Sequence, residues 1–138
     1  MQKNELEDYC INHNANSYIK FNGFESKVHE KIVDAVLYVS SSDYEGISNS
    51  MLEAIALGIP TISTDCPIGG AKMVIEDHTN GILVPVGNVE QLSQAMQEVL
   101  EDENLSKKMS LNGVKLRERF SVENIAKQWI DFAEEKKK

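Results

Sequence analysis

The segment from Ala35 to Thr64, "AVLYVSSSDYEGISNSMLEAIALGIPTIST", limits the fold more than any other part of this chain. Two continuous apolar runs, "AVLYVS" and "PTIST", frame a stretch of helical character from about Ser50 to Leu57. Runs without apolar–polar alternation suit strands buried on both faces of a parallel sheet. Gly58 followed by Pro60 is a helix stop, since glycine accepts the left-handed cap and proline cannot continue the helix. Strand, helix and strand in this order make a βαβ unit with two parallel strands.

The flanking sequence extends that pattern. Leu6, Tyr9, Cys10 and His13 share one side at helical spacing, which predicts a helix over Lys3 to Asn14. "SYIKF", Ser17 to Phe21, reads as a short strand ended by Asn22-Gly23, and Val28, Ile32 and Ala35 mark a short helix. After "PTIST" come the loop "DCPIGG", a brief helix through Glu76, a tight turn at Asn80-Gly81 and the strand "ILVPV". Val89, Leu92, Ala95, Met96, Val99 and Leu100 give an amphipathic helix. Further helices are predicted near Asn104 to Arg119 and Ser121 to Lys136, the last with Ile125, Trp129, Ile130 and Ala133 on its apolar side. The final "EEKKK" reads as a frayed, solvated tail. The fold class is therefore α/β, an open and mostly parallel sheet with flanking helices. Four strands are few for such a sheet, and one or more central strands are expected to be missing.

Composition narrows the functions. With 138 residues, 41% of them hydrophobic and 26% charged, the chain can form one soluble globular domain with its own core. Its 22 acidic and 14 basic side chains leave a formal charge of -8, which argues against a surface for nucleic acid. Cys10 and Cys66 form no CxxC pair, and His13, His29 and His78 have no metal spacing, so reduced thiols and no metal site are expected. No apolar run approaches the ~18 residues of a membrane span, and "MQKNELEDYC" is not a signal peptide.

Ligands of open α/β sheets bind outside the carboxyl ends of the strands. The loops Gly23 to Lys27, Ser40 to Asn49 and Asp65 to Gly70 are expected at that edge. The second runs into a helix, whose N-terminus offers unpaired N–H groups suited to phosphate. Gly46 lets backbone come close to a ligand, and Glu45 beside it and Glu53 inside the helix could both address that ligand. A carboxylate is a good acceptor for the vicinal diol of a sugar or ribose. Two readings stand for Glu53: a ligand contact, or the far end of a Ser50-x-x-Glu53 capping box. Glu45 taken alone reads as a solvated loop carboxylate. Gly69-Gly70 reads as a plain turn, Lys72 as a solvated lysine within reach of a phosphate, and Cys66 as a small buried residue. GxGxxG, P-loop and GxSxG patterns are absent.

The stretch "SSSDYEGISNSMLEAIALGIPTISTD", followed by "GGAKMVIEDHTNGILVPVGNVEQLSQAM", resembles the C-terminal domain of group 1 (family 4) retaining glycosyltransferases of the GT-B fold. The likeness runs from about Phe21 to about Phe120 and carries two ordered blocks, Glu45-x7-Glu53 within "EGxxNxxLEAxAxGxP" and "NGxLVPxGN". It implies a Rossmann-like sheet and a nucleotide-diphosphate-sugar substrate, with no cofactor and no metal. By the resemblance Glu53 holds the ribose hydroxyls. Glu45 is the catalytic-site carboxylate beside the donor sugar, and not a covalent nucleophile. The backbone of Gly46, Ile47 and Ser48 faces sugar and diphosphate, Met51 and Leu52 line the ribose pocket, and Phe24 to Lys27 hold the base. Transfer to a glycan or lipid-linked acceptor with retention is implied, in polysaccharide, lipopolysaccharide or capsule synthesis.

Ile47 and Ser48 stand where many members have an aromatic residue and then Gly or Pro. The "GRL"-type strand, the lysine-bearing loop and the acceptor-binding N-terminal domain of the family have no counterpart in these residues. Residues 1–138 are accordingly expected to be a partial nucleotide-sugar-binding domain, inactive alone and prone to self-associate through bare strand edges. The parent enzyme is expected in the cytoplasm, with peripheral association at the inner membrane face left open. The alternatives are a non-catalytic α/β nucleotide-binding or interaction domain, in which the glutamates only cap a helix, and a nucleotide-sugar epimerase of the same fold.

Overall fold

The computed structural model describes residues 3–136. Three strands, β1 (Tyr38–Ser40), β2 (Thr61–Thr64) and β3 (Ile82–Val84), form one sheet in the order β1-β2-β3. Both pairings are parallel, with Tyr38 beside Thr61 and Ile62 beside Ile82. The helices are α1 (Lys3–Asn12), α2 (Val28–Ile32), α3 (Asn49–Ala56), α4 (Val89–Glu101), α5 (Glu103–Val114), α6 (Leu116–Arg119) and α7 (Val122–Glu135). The expected α/β class and parallel sheet are what the chain adopts.

Alternation along the strands divides the core between the two faces of the sheet. Ile62, Ile82 and Val84 pack with Ala95 and Val99 of α4 and Met109 of α5. Leu83, between Ile82 and Val84, joins Tyr38 in packing against the other cluster, made by Met51 and Ile55 of α3 with Ala71, Val74 and Ile75. The helix stop read at Gly58 forms in full. Gly58 N–H donates to the Ile55 carbonyl and Ile59 N–H to that of Ala54, both at 3.0 Å, with Gly58 at φ +80°. This double closure satisfies the last carbonyls of α3 and turns the chain straight into β2.

Several expected elements differ. Ser17 to Phe21 forms no strand: Tyr18 and Ile19 donate their amides back to Ala15, and the Tyr18 side chain is 88% exposed. Local turns satisfy that backbone where no neighbouring strand does. β1 is a half-buried strand of three residues, not one buried on both faces, and among the described residues it lies at the edge of the sheet beside β2. The segment from Ala71 to Glu76 is a set of turns, with Ile75 N–H on the Ala71 carbonyl at 2.7 Å, too short to register as a helix. The helix expected near Asn104 to Arg119 breaks at Lys115 into α5 and α6. In α7 the apolar side exists but is largely uncovered, with Trp129 68% exposed. Glu134 and Glu135 of the expected tail belong to α7, while Lys137 and Lys138 lie outside the described residues.

Asn80 ties the Ala71–Glu76 turns to the entry of β3. Its buried amide accepts from Glu76 N–H at 2.8 Å and donates to the Val74 carbonyl at 3.1 Å. Replacing it with alanine strands both backbone groups, at about 1–3 kcal/mol each. Asn80→Ala is therefore expected to lower the urea midpoint clearly with an unchanged m-value, whereas Thr79→Ala, whose side chain has no such bonds, is expected to shift it little.

Candidate functional site

The loop after β1 (41–48) and the loop after β2 (65–70) leave the same edge of the sheet, and the second holds the first in place. The Thr64 hydroxyl donates to the Ser42 carbonyl at 2.5 Å, and the Cys66 thiol points to the Glu45 carbonyl at 3.7 Å. Most decisive is Gly70. A Cβ on it would lie 2.0 Å from the Gly46 carbonyl oxygen and 2.5 Å from Ile47 N, so only glycine lets the two backbones touch. Gly46 faces the other way, with nothing within 4 Å of the Cβ it lacks. The loop is thus backed by protein on one side and open on the other.

Ser48 caps α3, its Oγ accepting from Met51 N–H at 3.4 Å. Ser50, the start of the capping box considered for Glu53, is already inside the helix, and that box does not form. The Ser50 hydroxyl lies instead 3.0 Å from the Ser48 hydroxyl and 2.8 Å from the Tyr38 hydroxyl of β1. Glu53 is left on the exposed side of α3 with no hydrogen bond or ion pair among the described residues, and the Glu45 carboxylate is equally unpartnered. The amides of Gly46, Ile47 and Ser48 likewise donate to no group among the described residues.

A groove of ≈ 360 Å³ runs past Glu53, lined by Leu52, Ala56, Leu116, Arg117 and Phe120. Arg117 crosses it to donate from Nε to the Ala56 carbonyl at the end of α3. A smaller cleft of ≈ 200 Å³ lies between the ends of β1, β2 and β3, with Ser41, Asp43, Thr64 and Asn88 on its walls. Lys72, two residues past Gly70, is paired with Asp65 at 3.1 Å. Among the described residues no three of His, Cys, Asp and Glu come together as a metal set.

The expected site residues are therefore placed unequally. Glu45, Gly46, Ile47 and Ser48 share the buttressed loop, and Leu52 and Glu53 share the groove. Met51 lies behind them: at 1% exposure its side chain packs against Ile55, Ala71, Val74 and Ile75 in the core. Phe24 is 95% exposed, and Lys27 pairs with Glu30 at 3.0 Å; no hydrogen bond or ion pair joins either to the Glu45 loop or to α3. Sequence reasoning missed Gly70, Thr64, Cys66, Tyr38 and Ser50. The one available signal was the Gly69-Gly70 doublet, which is more than a plain turn.

Comparison with known proteins agrees with this architecture. Residues 1–116 match the family described as glycosyl transferases group 1, and the chain belongs to that family. It is 30% identical over 127 residues to the poly(glycerol-phosphate) alpha-glucosyltransferase of Bacillus subtilis, covering 92% of this chain and 18% of that protein. The crystal structure of Anabaena HepE in complex with UDP superposes with a TM-score of 0.88 at 22% identity, over 96% of this chain and 36% of that one. The pneumococcal O-GlcNAc transferase GtfA, solved with UDP and GlcNAc, gives 0.75 at 28% identity, over 98% and 28%. The chain thus spans about a fifth to a third of the length of these relatives, and its fold is that of the GT-B glycosyltransferases.

Two glycines on one contact predict opposite outcomes. Gly70→Ala drives a methyl group into the Gly46–Ile47 backbone and is expected to cost about 3 kcal/mol or more. The amide resonances of Glu45 to Ser48 should move with it. Gly46→Ala enters open space and is expected to change stability by about 0.5 kcal/mol or less. Denaturant titration and amide NMR spectra of the two variants check both statements.

Proposed function

We propose that this chain supplies the donor-binding part of a retaining glycosyltransferase. In this reading it binds a nucleotide-diphosphate sugar and presents the sugar for transfer to a glycan or lipid-linked acceptor in surface-polysaccharide synthesis. The observation that carries the reading is the pair of unpartnered carboxylates, Glu45 and Glu53, at either end of a segment fixed by Gly70 and Ser48. The UDP and GlcNAc bound by pneumococcal GtfA, and the poly(glycerol-phosphate) named for the Bacillus relative, support the substrate class.

Glu53 takes the ribose diol, with Leu52 beside it, and Glu45 takes hydroxyls of the donor sugar. The free amides of Gly46, Ile47 and Ser48 meet the leaving diphosphate, whose charge they stabilise without reorganising. Phe24 and Lys27 are assigned to the base. The acceptor is held by a second domain that residues 1–138 do not contain. No helix among the described residues is long and apolar enough to cross a membrane. In this reading a lipid-linked acceptor is met at the inner membrane face. The competing reading, glutamates that only cap a helix, is disfavoured by the cap at Ser48, which leaves both carboxylates unused.

Titration of UDP, GDP and ADP against the wild type is expected to find one that binds, and Glu53→Ala to weaken it at least tenfold, about 1.4 kcal/mol. Glu45→Gln should leave that diphosphate unchanged and remove the additional affinity of the corresponding nucleotide sugar. Indifference of all three nucleotides to the wild-type chain would overturn the reading.

A further inference from the structure

The hydroxyl chain Tyr38–Ser50–Ser48 connects the edge strand to the first turn of α3, and hydroxyl chemistry favours one direction along it. Tyr38 Oη lies 2.8 Å from Ser50 Oγ, and Ser50 Oγ lies 3.0 Å from Ser48 Oγ. Ser48 Oγ also accepts Met51 N–H at 3.4 Å. Three hydroxyl protons serve two hydroxyl–hydroxyl links, so one proton is left over at one end of the chain. A phenolic O–H is a better donor and a poorer acceptor than an alkyl O–H. The favoured arrangement therefore has Tyr38 donating to Ser50 and Ser50 donating to Ser48. Ser48 then accepts twice, from Ser50 and from Met51 N–H, and both its lone pairs are used.

We propose that Tyr38 is a positioning residue for the donor site: through Ser50 it orients the Ser48 hydroxyl so that its remaining proton donates to an oxygen of the bound diphosphate. The proposal rests on the donor-site reading above, and it assigns to Tyr38 and Ser50 a role that the family likeness does not supply. Geometry adds to the proton count. Ser48 closes the loop whose amides are free, and Tyr38 is anchored by its ring against the buried cluster around Met51 and Ile55. The direction of the chain is thus set by a rigid aromatic residue on the sheet and is expressed at the helix start. A proton left on Ser48 would join the amides of Gly46 and Ile47 in presenting donors to an anion.

The experiment compares a ligand that carries the phosphates with one that lacks them. Whichever of UDP, GDP and ADP binds the wild type is titrated against Tyr38→Phe, Ser50→Ala, Ser48→Ala and the Tyr38→Phe/Ser48→Ala double variant. Its parent nucleoside is followed by ligand-observed NMR, which reads millimolar affinities. Tyr38→Phe is expected to weaken the diphosphate about tenfold, the order of one hydrogen bond to a charged group, and to leave the nucleoside unchanged. Ser50→Ala should do the same through the other link, and the double variant should bind no worse than Ser48→Ala alone. A merely structural role would lower both ligands together or add in the double variant, and either result overturns the proposal, as would unchanged diphosphate affinity. If the wild type binds none of the three diphosphates, the donor-site reading itself fails and the relay falls with it.

Discussion

The contact on which the site depends is between two stretches of backbone, Gly70 against Gly46 and Ile47. No side chain fits there, since a Cβ would sit 2.0 Å from a carbonyl oxygen. Loops after parallel strands have no intrinsic reason to hold one shape, and each residue fixed costs about 1–2 kcal/mol of backbone entropy. Here the loop after β2 supplies the template for the loop after β1. Backbone contact at Gly70, a hydroxyl from Thr64 and a thiol from Cys66 fix three points along 42–47. The opposite side of that loop stays open at Gly46, which is the condition for a ligand to approach main-chain donors.

Helix phase then decides what each residue of "SNSMLEA" can do. With the cap at Ser48, Met51 and Ile55 lie one turn apart and face the core. Glu53, two residues from Met51, is rotated by about 200° and must face outward. Leu52, between them, is half-buried at the groove wall. The same phase that buries the Met51 side chain therefore frees that of Glu53. A cap at Ser50 would have allowed the glutamate to turn back on its own helix. The hydroxyl pair Ser48–Ser50, tied to Tyr38, prevents that competition.

The parts of the fold legible in the sequence were those with a local cause. Gly58 stops α3 because only a left-handed residue there closes both terminal hydrogen bonds, and that rule reads directly from Gly58-x-Pro60. The alternation of strands and helices followed from runs such as "PTIST" for the same reason. Ser17 to Phe21 failed because β-branched and aromatic residues signal a strand only if a neighbour accepts it. The cap was ambiguous because Ser48 and Ser50 are both good capping residues, and the choice between them rests on Tyr38, ten residues upstream of Ser48 and in another element. Gly70 was illegible as a buttress because its partner, Gly46, lies 24 positions earlier. Of the candidate site, the loop and the two glutamates could be read, but the means that hold them could not.

Charge sharpens what the site can do with an anion. The chain is acidic overall, at -8, and Lys72, two residues past Gly70, and Arg117, in the groove wall, both have partners within the protein. Lys72 pairs with Asp65, and Arg117 serves the Ala56 carbonyl. Only the Asp65 pairing offsets a charge, while Arg117 keeps its positive charge in the groove wall, and a diphosphate approaching Gly46 would also meet Glu45. In the proposed site, main-chain N–H groups and the Ser48 hydroxyl are the donors beside Gly46, each weaker than an ammonium or guanidinium. Weak donors must be fixed in direction to compete with water, because their strength falls steeply with angle. That requirement gives the Gly70 contact and the Tyr38–Ser50–Ser48 chain a common purpose. One sets where the amides point and the other sets where the hydroxyl points. An anion held this way is recognised by geometry more than by charge.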